Sequence, residues 1–221
     1  MVLVFDLSQT NLSVFNGIMK SIYLVLIAVF FSIGSNLQAA EERGPTADLQ
    51  PILQDLTSVL ADNSLKGDEH RTKRRDKIMS LSKHGFDFRE MSKRVLGKTW
   101  QDINDKERDN FTTLMTKLLE NVYIGKLESY SGQTIEYSGE TIKENRGQVS
   151  VLLDNAGVKI PIHYIMRKTD TRWMVYDINI EGVSLVRNYQ EQFKAIVRKD
   201  NYEGLVKVLE EKISSFSTEL K

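Results

Sequence analysis

The sequence predicts an α+β fold: a twisted four-stranded antiparallel sheet covered by several helices gathered on one of its faces. Three observations predict it. Apolar residues recur at three-and-four spacing up to about residue 127, at spacing two from Gln133 to Ile180, and at three-and-four spacing again beyond Gly182. The elements follow in that order.

Residues 19–40, MKSIYLVLIAVFFSIGSNLQAA, have the layout of a secretory signal peptide. Lys20 supplies the positive start, Ile22 to Ile33 is an apolar run of twelve with Ser32 its one polar residue, and Ala39 is the small residue before the cut. The run is short for a membrane span, which needs about twenty residues. The alternative reading is an N-terminal anchor or a buried helix. Residues 1–18 contain Asp6 and no basic residue, so Met19 reads as the true start and 1–18 as a misassigned or disordered extension. Residues 19–39 are then the signal peptide, 40–48 a mobile arm and 49–217 a single domain.

Asp48 to Leu60 places Leu49, Ile52, Leu53, Leu56, Val59 and Leu60 on one helical stripe. The polar segment after it includes HRTKRRDK (70–77), a solvated face or linker, with docking to a partner or to anionic headgroups as the alternative. A second helical stretch opens at Phe86 and carries Met91, Val95 and Leu96 before Gly97. Asn104 with Glu107 three positions later is a capping box, in which each side chain satisfies the other's backbone N–H. The helix it starts runs to about Leu127, roughly 30 Å at 1.5 Å per residue, enough to cover a small sheet.

Ile135 and Tyr137 alternate in the first strand, and Val149, Val151 and Leu153 in the second. Asp154-Asn-Ala-Gly157 has the residues that tolerate positive φ in a hairpin turn. The third strand shows Val158, Ile160, Ile162, Tyr164 and Met166 on one face, and the fourth Met174, Tyr176, Ile178 and Ile180. Pro161 lacks a backbone donor, which predicts an edge strand or a bulge there. Gly182 allows a sharp exit, Ser184 caps the helix that follows, and a last helix starts near Tyr202.

The 221 residues hold 30 basic and 30 acidic side chains, a balance unlike the basic surface of a nucleic-acid-binding domain. With no cysteine, thiol nucleophiles, redox pairs and thiolate metal sites are excluded. His70, His84 and His163 lack metal-ligand spacing. No serine-hydrolase elbow, zinc-protease motif or phosphate-cradling loop occurs, so no cofactor and no enzymatic activity are expected. Asp177 and Glu181 lie about 13 Å apart along an ideal strand, too far for a direct acid/base pair. They suit pairing with Arg172 or Arg187, or capping a helix start. What remains is a large apolar inner face, which packs either as an ordinary core or as the wall of an apolar pocket.

YDINIEGVSLVRNYQEQF (176–193) resembles the signature of the periplasmic phospholipid-binding family that includes MlaC and the toluene-tolerance proteins. FDFREMSKRVLGKTW (86–100) and RDNFTTLMTKLLENVYIGKLESYSGQ (108–133) are similar to that family's segments in order and spacing, and the likeness extends from Leu49 to Phe216. The resemblance implies a Sec-exported periplasmic shuttle of a Gram-negative bacterium. It implies a phospholipid whose tails lie between sheet and helices, and two partners: an inner-membrane MCE-domain ABC transporter and an outer-membrane lipoprotein–porin complex. Such a system maintains outer-membrane lipid asymmetry. Under this reading the tail contacts, inferred from inward periodicity, are Tyr137, Val151, Ile162, Tyr164, Met174, Tyr176 and Ile178 from the sheet. The long helix adds Phe111, Met115, Leu118 and Val122. A carrier of another apolar lipid such as a hopanoid, a ligand-free envelope docking module and an enzyme on a cone-shaped α+β fold are the alternatives.

Overall fold

The computed structural model describes residues 43–219 apart from 129 and 131. The expected signal peptide and the extension before it lie outside the described residues. Helix α1 (Pro45–Ala61) is followed by two short 3-10 turns and α2 (Arg71–Gly85). Next come α3 (Phe88–Leu96), the single turn α4 (Thr99–Asp102) and the long α5 (Asp105–Glu128). The sheet follows: β1 (Thr134–Lys143), β2 (Arg146–Asn155), β3 (Val158–Lys168), β4 (Trp173–Ile180) and a two-residue β5 (Val183–Ser184). The final α6 (Leu185–Glu219) is interrupted at Asn201, whose φ of 58° and ψ of −170° are not helical. Its side-chain oxygen accepts the Gly204 N–H at 3.1 Å and so caps the second half.

The antiparallel order β1-β2-β3-β4-β5 corrects the expected four strands to five. The chain bends at Glu181 and Gly182, both at positive φ, and pairs Val183 and Ser184 back onto Ile180 and Asn179. Pro161 is also corrected: β3 is an interior strand, and its register through Pro161 is unbroken against β2. The Pro161 carbonyl accepts the Glu181 N–H at 3.0 Å, so its nitrogen faces the same side, beyond the last β4 pair. A missing donor there breaks no rung of the β2 ladder.

The capping box forms as the spacing predicts. Asn104 N–H donates to Glu107 Oε2 at 2.8 Å, and Glu107 N–H to Asn104 Oδ1 at 3.1 Å. The helix it opens, however, does not lie on the sheet. Phe111, Leu114, Met115, Leu118 and Leu119 of α5 pack with Met91, Val95, Leu96, Trp100, Phe193 and Leu205 from α3, α4 and α6, in a core with no strand residue. The opposite layer is α1. Leu49 and Leu53 cover Val149, Val151, Ile162, Tyr164, Met166, Trp173 and Val175 in a second core, and no residue of α3–α6 belongs to it. Ile124 of α5 joins Leu60 and Ile78 of α1 and α2 in a small third cluster.

Residues 43–48, expected as an arm, are tied to the sheet. Trp173 donates its indole N–H to the Arg43 carbonyl at 3.0 Å and its backbone N–H to Asp48 Oδ2 at 2.8 Å. Gly147 makes this docking sterically possible. A Cβ there would stand 2.9 Å from Pro45 Cγ and 3.1 Å from the Trp173 ring, closer than side chains tolerate.

The helical core is anchored through the other face of the sheet. Asp87 accepts the Glu90 N–H at 2.9 Å as the cap of α3, and its other oxygen accepts from Arg167 of β3 at 2.6–2.7 Å. Asp177 of β4 accepts the Ser184 hydroxyl at 2.7 Å and the Val186 N–H at 3.0 Å, fixing the start of α6. Arg167 and Asp177 pair with Met174 and Ile165, on the side away from Tyr164. The helices therefore are not all gathered on one face.

Candidate functional site

The continuous apolar face of β1–β4 is the candidate site. Cross-strand register sets its rows. Ile135, Leu153 and Ile160 are directly opposite one another, as are Tyr137, Val151, Ile162 and Ile180, and then Val149, Tyr164 and Ile178. Burial is graded along these rows. Val149, Val175 and Met166 beneath α1 are essentially inaccessible, while Ile135, Tyr137, Leu153, Ile160 and Ile178 are half-buried. At the margin Ile180 is 37% exposed and Val158, at the β2–β3 hairpin, 64%. Apolar surface thus continues past its cover toward one end of the sheet.

Of the predicted tail contacts, the structure brings Tyr137, Val151, Ile162, Tyr164 and Ile178 together on this face. Met174 and Tyr176 fall outside it. The β3–β4 register passes from Ile165↔Asp177 to Met166↔Val175, so Tyr176 is the extra residue of a bulge. The bulge reverses the alternation, putting Trp173 and Val175 on the inner face and Met174 opposite Arg167. The Tyr176 ring sits instead under the Arg94 guanidinium, 4.0 Å from its centroid, a cation–π contact with α3. Phe111, Met115 and Leu118 are buried in the helical core, with Val122 packed against it. They share no buried cluster with the sheet residues. The α1 residues Leu49, Leu53 and Leu56 and the inner-face Trp173 escaped the list, although the α1 stripe itself was visible in the sequence.

The electrostatics of the face are simple. Burial pushes the Tyr164 phenol well above its usual range, with the neighbouring Tyr137 adding to the effect, and burial also raises Tyr137. Both hydroxyls stay protonated at any physiological pH, so the face is uncharged. Charged partners stay outside it: Lys159 meets Glu136 at 2.9 Å in an exposed pair. Among the described residues no group of three or more His, Asp or Glu side chains is placed to hold a metal ion.

The sequence profile described as MlaC protein matches residues 50–211, most of α1 through the second half of α6. The chain belongs to the MlaC family. Among solved structures, this MlaC-family chain is similar to a phospholipid-binding protein from Ralstonia solanacearum, determined in complex with a phospholipid. Identity is 23%, the match covers 79% of this chain and 99% of that one, and the TM-score is 0.70, which establishes a shared fold. A comparison with curated proteins finds no match. The MlaC-matched region contains the whole graded sheet face and, of the α1 cover, Leu53 and Leu56. Among the described residues no helix is long and apolar enough to cross a membrane. A separate cavity of about 310 Å³ opens between the turn after α3 and α6 and touches none of the predicted tail contacts.

Proposed function

We propose that this MlaC-family chain is a phospholipid carrier whose cargo lies with its tails on the sheet face, entering from the half-buried end at Ile135, Tyr137, Leu153 and Ile160. The observation behind this reading is the apolar face that outruns its helical cover, in a chain sharing its fold with a phospholipid-bound protein. The carrier works in the periplasm. It exchanges lipid with an inner-membrane MCE-domain ABC transporter and an outer-membrane lipoprotein–porin complex, in a system that maintains outer-membrane asymmetry. Location and partners follow from the family resemblance.

The physics of cargo transfer suits such a lining. Each methylene withdrawn from water contributes about 0.8 kcal/mol, so a lipid with about thirty methylenes involves roughly 24 kcal/mol. Exposing one tail forfeits around half of that, so both tails must be covered during aqueous transit. Release, in turn, requires a lining without strong directional contacts. A neutral face of Val, Ile, Leu and protonated Tyr provides shape-tolerant burial and needs no catalytic group. Opening the centre of the site requires α1 to move from the sheet, because Val149 and Val151 beneath it are already sealed.

Native mass spectrometry of the protein purified without detergent, followed by lipid extraction, tests this. One glycerophospholipid per chain is the expected result, lost in folded Val151→Glu or Ile178→Glu variants. A polycyclic lipid would keep the site and change the cargo. An empty protein that also takes up nothing from phospholipid vesicles would end the carrier reading and leave the sheet face an ordinary core.

A further inference from the structure

The cleft beside α6 has a chemistry of its own. Its floor is apolar, formed by Val95 and Leu96 at the end of α3 and by Phe193 and Val197 of α6. Its rim is cationic: Lys98, Lys194 and Arg198 are exposed around it, against the single acid Glu191. None of these four rim side chains has an ion-pair or hydrogen-bond partner among the described residues. One wall is fixed, because Gln190 donates from Nε2 to the Arg94 carbonyl at 3.0 Å and holds α6 against the end of α3.

Size and polarity define what fits. A volume of about 310 Å³ is at the small end of ligand sites and too small for a two-tailed lipid. An apolar floor under a rim with a surplus of two positive charges suits one apolar chain ending in one anionic group. Unpaired cations beside apolar surface keep their hydration while adding attraction for an anion held there. We propose that this cleft binds a single-chain fatty-acid anion, its chain against Leu96, Phe193 and Val197 and its carboxylate among Lys98, Lys194 and Arg198. The site lies in the helical core, apart from the sheet face, so it stands independently of the carrier reading.

Titration of the full mature chain with decanoate below its micellar concentration, followed by backbone NMR, is the test. Decanol and decyltrimethylammonium serve as the neutral and cationic controls. Decanoate should saturate with shifts centred on Gly97, Phe193 and Lys194, decanol should bind more weakly, and decyltrimethylammonium should not bind. Reversing two exposed charges in a Lys194→Glu/Arg198→Glu variant should weaken decanoate about tenfold, as expected for exposed charge pairs, and leave copurified phospholipid unchanged. Val197→Trp, which fills the cleft, should abolish binding with the same phospholipid content. Equal binding of all three amphiphiles, an unaffected charge-reversal variant, or decanoate shifts centred on Tyr137 and Ile160 would overturn the proposal. A carrier lacking phospholipid but still binding decanoate at Phe193 would sink the carrier reading alone.

Discussion

The helical core and the sheet core draw on similar side chains but close in different ways. In the helical core Phe111, Met115 and Leu205 are fully inaccessible, and four helices turn their apolar stripes toward one another. Each helix contributes its own polar back, so the layer closes on itself except at the cleft beside α6. In the sheet core Val149 and Val175 are equally inaccessible, yet the same face runs out to Val158 at 64% exposure. Dimensions explain the difference. A helix is about 10 Å across, whereas four strands spaced about 4.8 Å apart span roughly 14 Å between the outer two. α1 alone cannot cover β1–β4. Apart from the cleft at Leu96 and Phe193, the helical stripes therefore close on one another, whereas among the described residues part of the sheet face lies beyond its helical cover.

Substitutions should separate the two regions by what they cost. The largest loss belongs to the helical core. Phe111→Ala removes a ring that meets Phe193 edge-on at 6.1 Å, and should destabilise by about 3–5 kcal/mol in chemical denaturation. Lipid content per folded chain should not change. Equal loss of lipid from folded protein would mean that the helical core belongs to the cargo site.

Asp87→Ala comes next, because that carboxylate both caps α3 and holds Arg167. A loss of about 2 kcal/mol is expected from the cap and the partly exposed pair together. Asp87→Asn, which keeps the cap acceptor, should recover about half. If neither variant moves the denaturation midpoint, the anchor between sheet and helical core lies elsewhere.

The pair Leu153→Ala/Ile160→Ala trims opposed half-buried residues of β2 and β3. It should cost only about 1–2 kcal/mol, below the range for sealed positions, while most of the bound lipid is lost. The inverse result, large destabilisation with full lipid occupancy, would erase the distinction between the two regions.

The smallest effect is a pH dependence. Burial pushes the phenols of Tyr189 and Tyr202 up to about 12, with Tyr123 acting on the first and Glu107 and Glu203 on the second. Above pH 10 the unfolded chain releases these protons while the folded one retains them. Stability should therefore fall as pH rises from 10 toward about 12. Tyr202→Phe loses the hydrogen bond to the Glu107 carbonyl at 2.9 Å, about 1 kcal/mol near neutrality, and should flatten that alkaline decline. Denaturation midpoints at pH 8 and pH 11 report both.

Much of the fold was legible in the sequence because it is written in local chemistry. The Asn104–Glu107 box, the Ser184 cap and the Asp154–Gly157 turn each depend on residues within a few positions of one another. Two properties of the site were not legible. The β4 bulge was hidden because WMVYDINI is apolar at both alternations near its start, so Trp173/Val175 and Met174/Tyr176 fit an inner face equally well. The partner of α5 was hidden because a stripe of Phe111, Met115 and Leu118 states that the helix buries one side, and says nothing of what it buries against. Periodicity gives the direction of a side chain within its own element. The choice between sheet and helix as neighbour rests on long-range packing, here on Asp87 and Asp177 anchoring α3 and α6 to the far side of the sheet.

The most direct test is to cross-link a phospholipid bearing a photoreactive group near one acyl terminus to the purified chain and map the modified peptides. Adducts are expected on β1–β3 and α1, at residues such as Tyr137, Leu153, Ile160 and Leu53. Adducts confined to Phe111, Met115 and Leu118 of α5 would contradict it, placing the cargo in the region that this structure shows sealed.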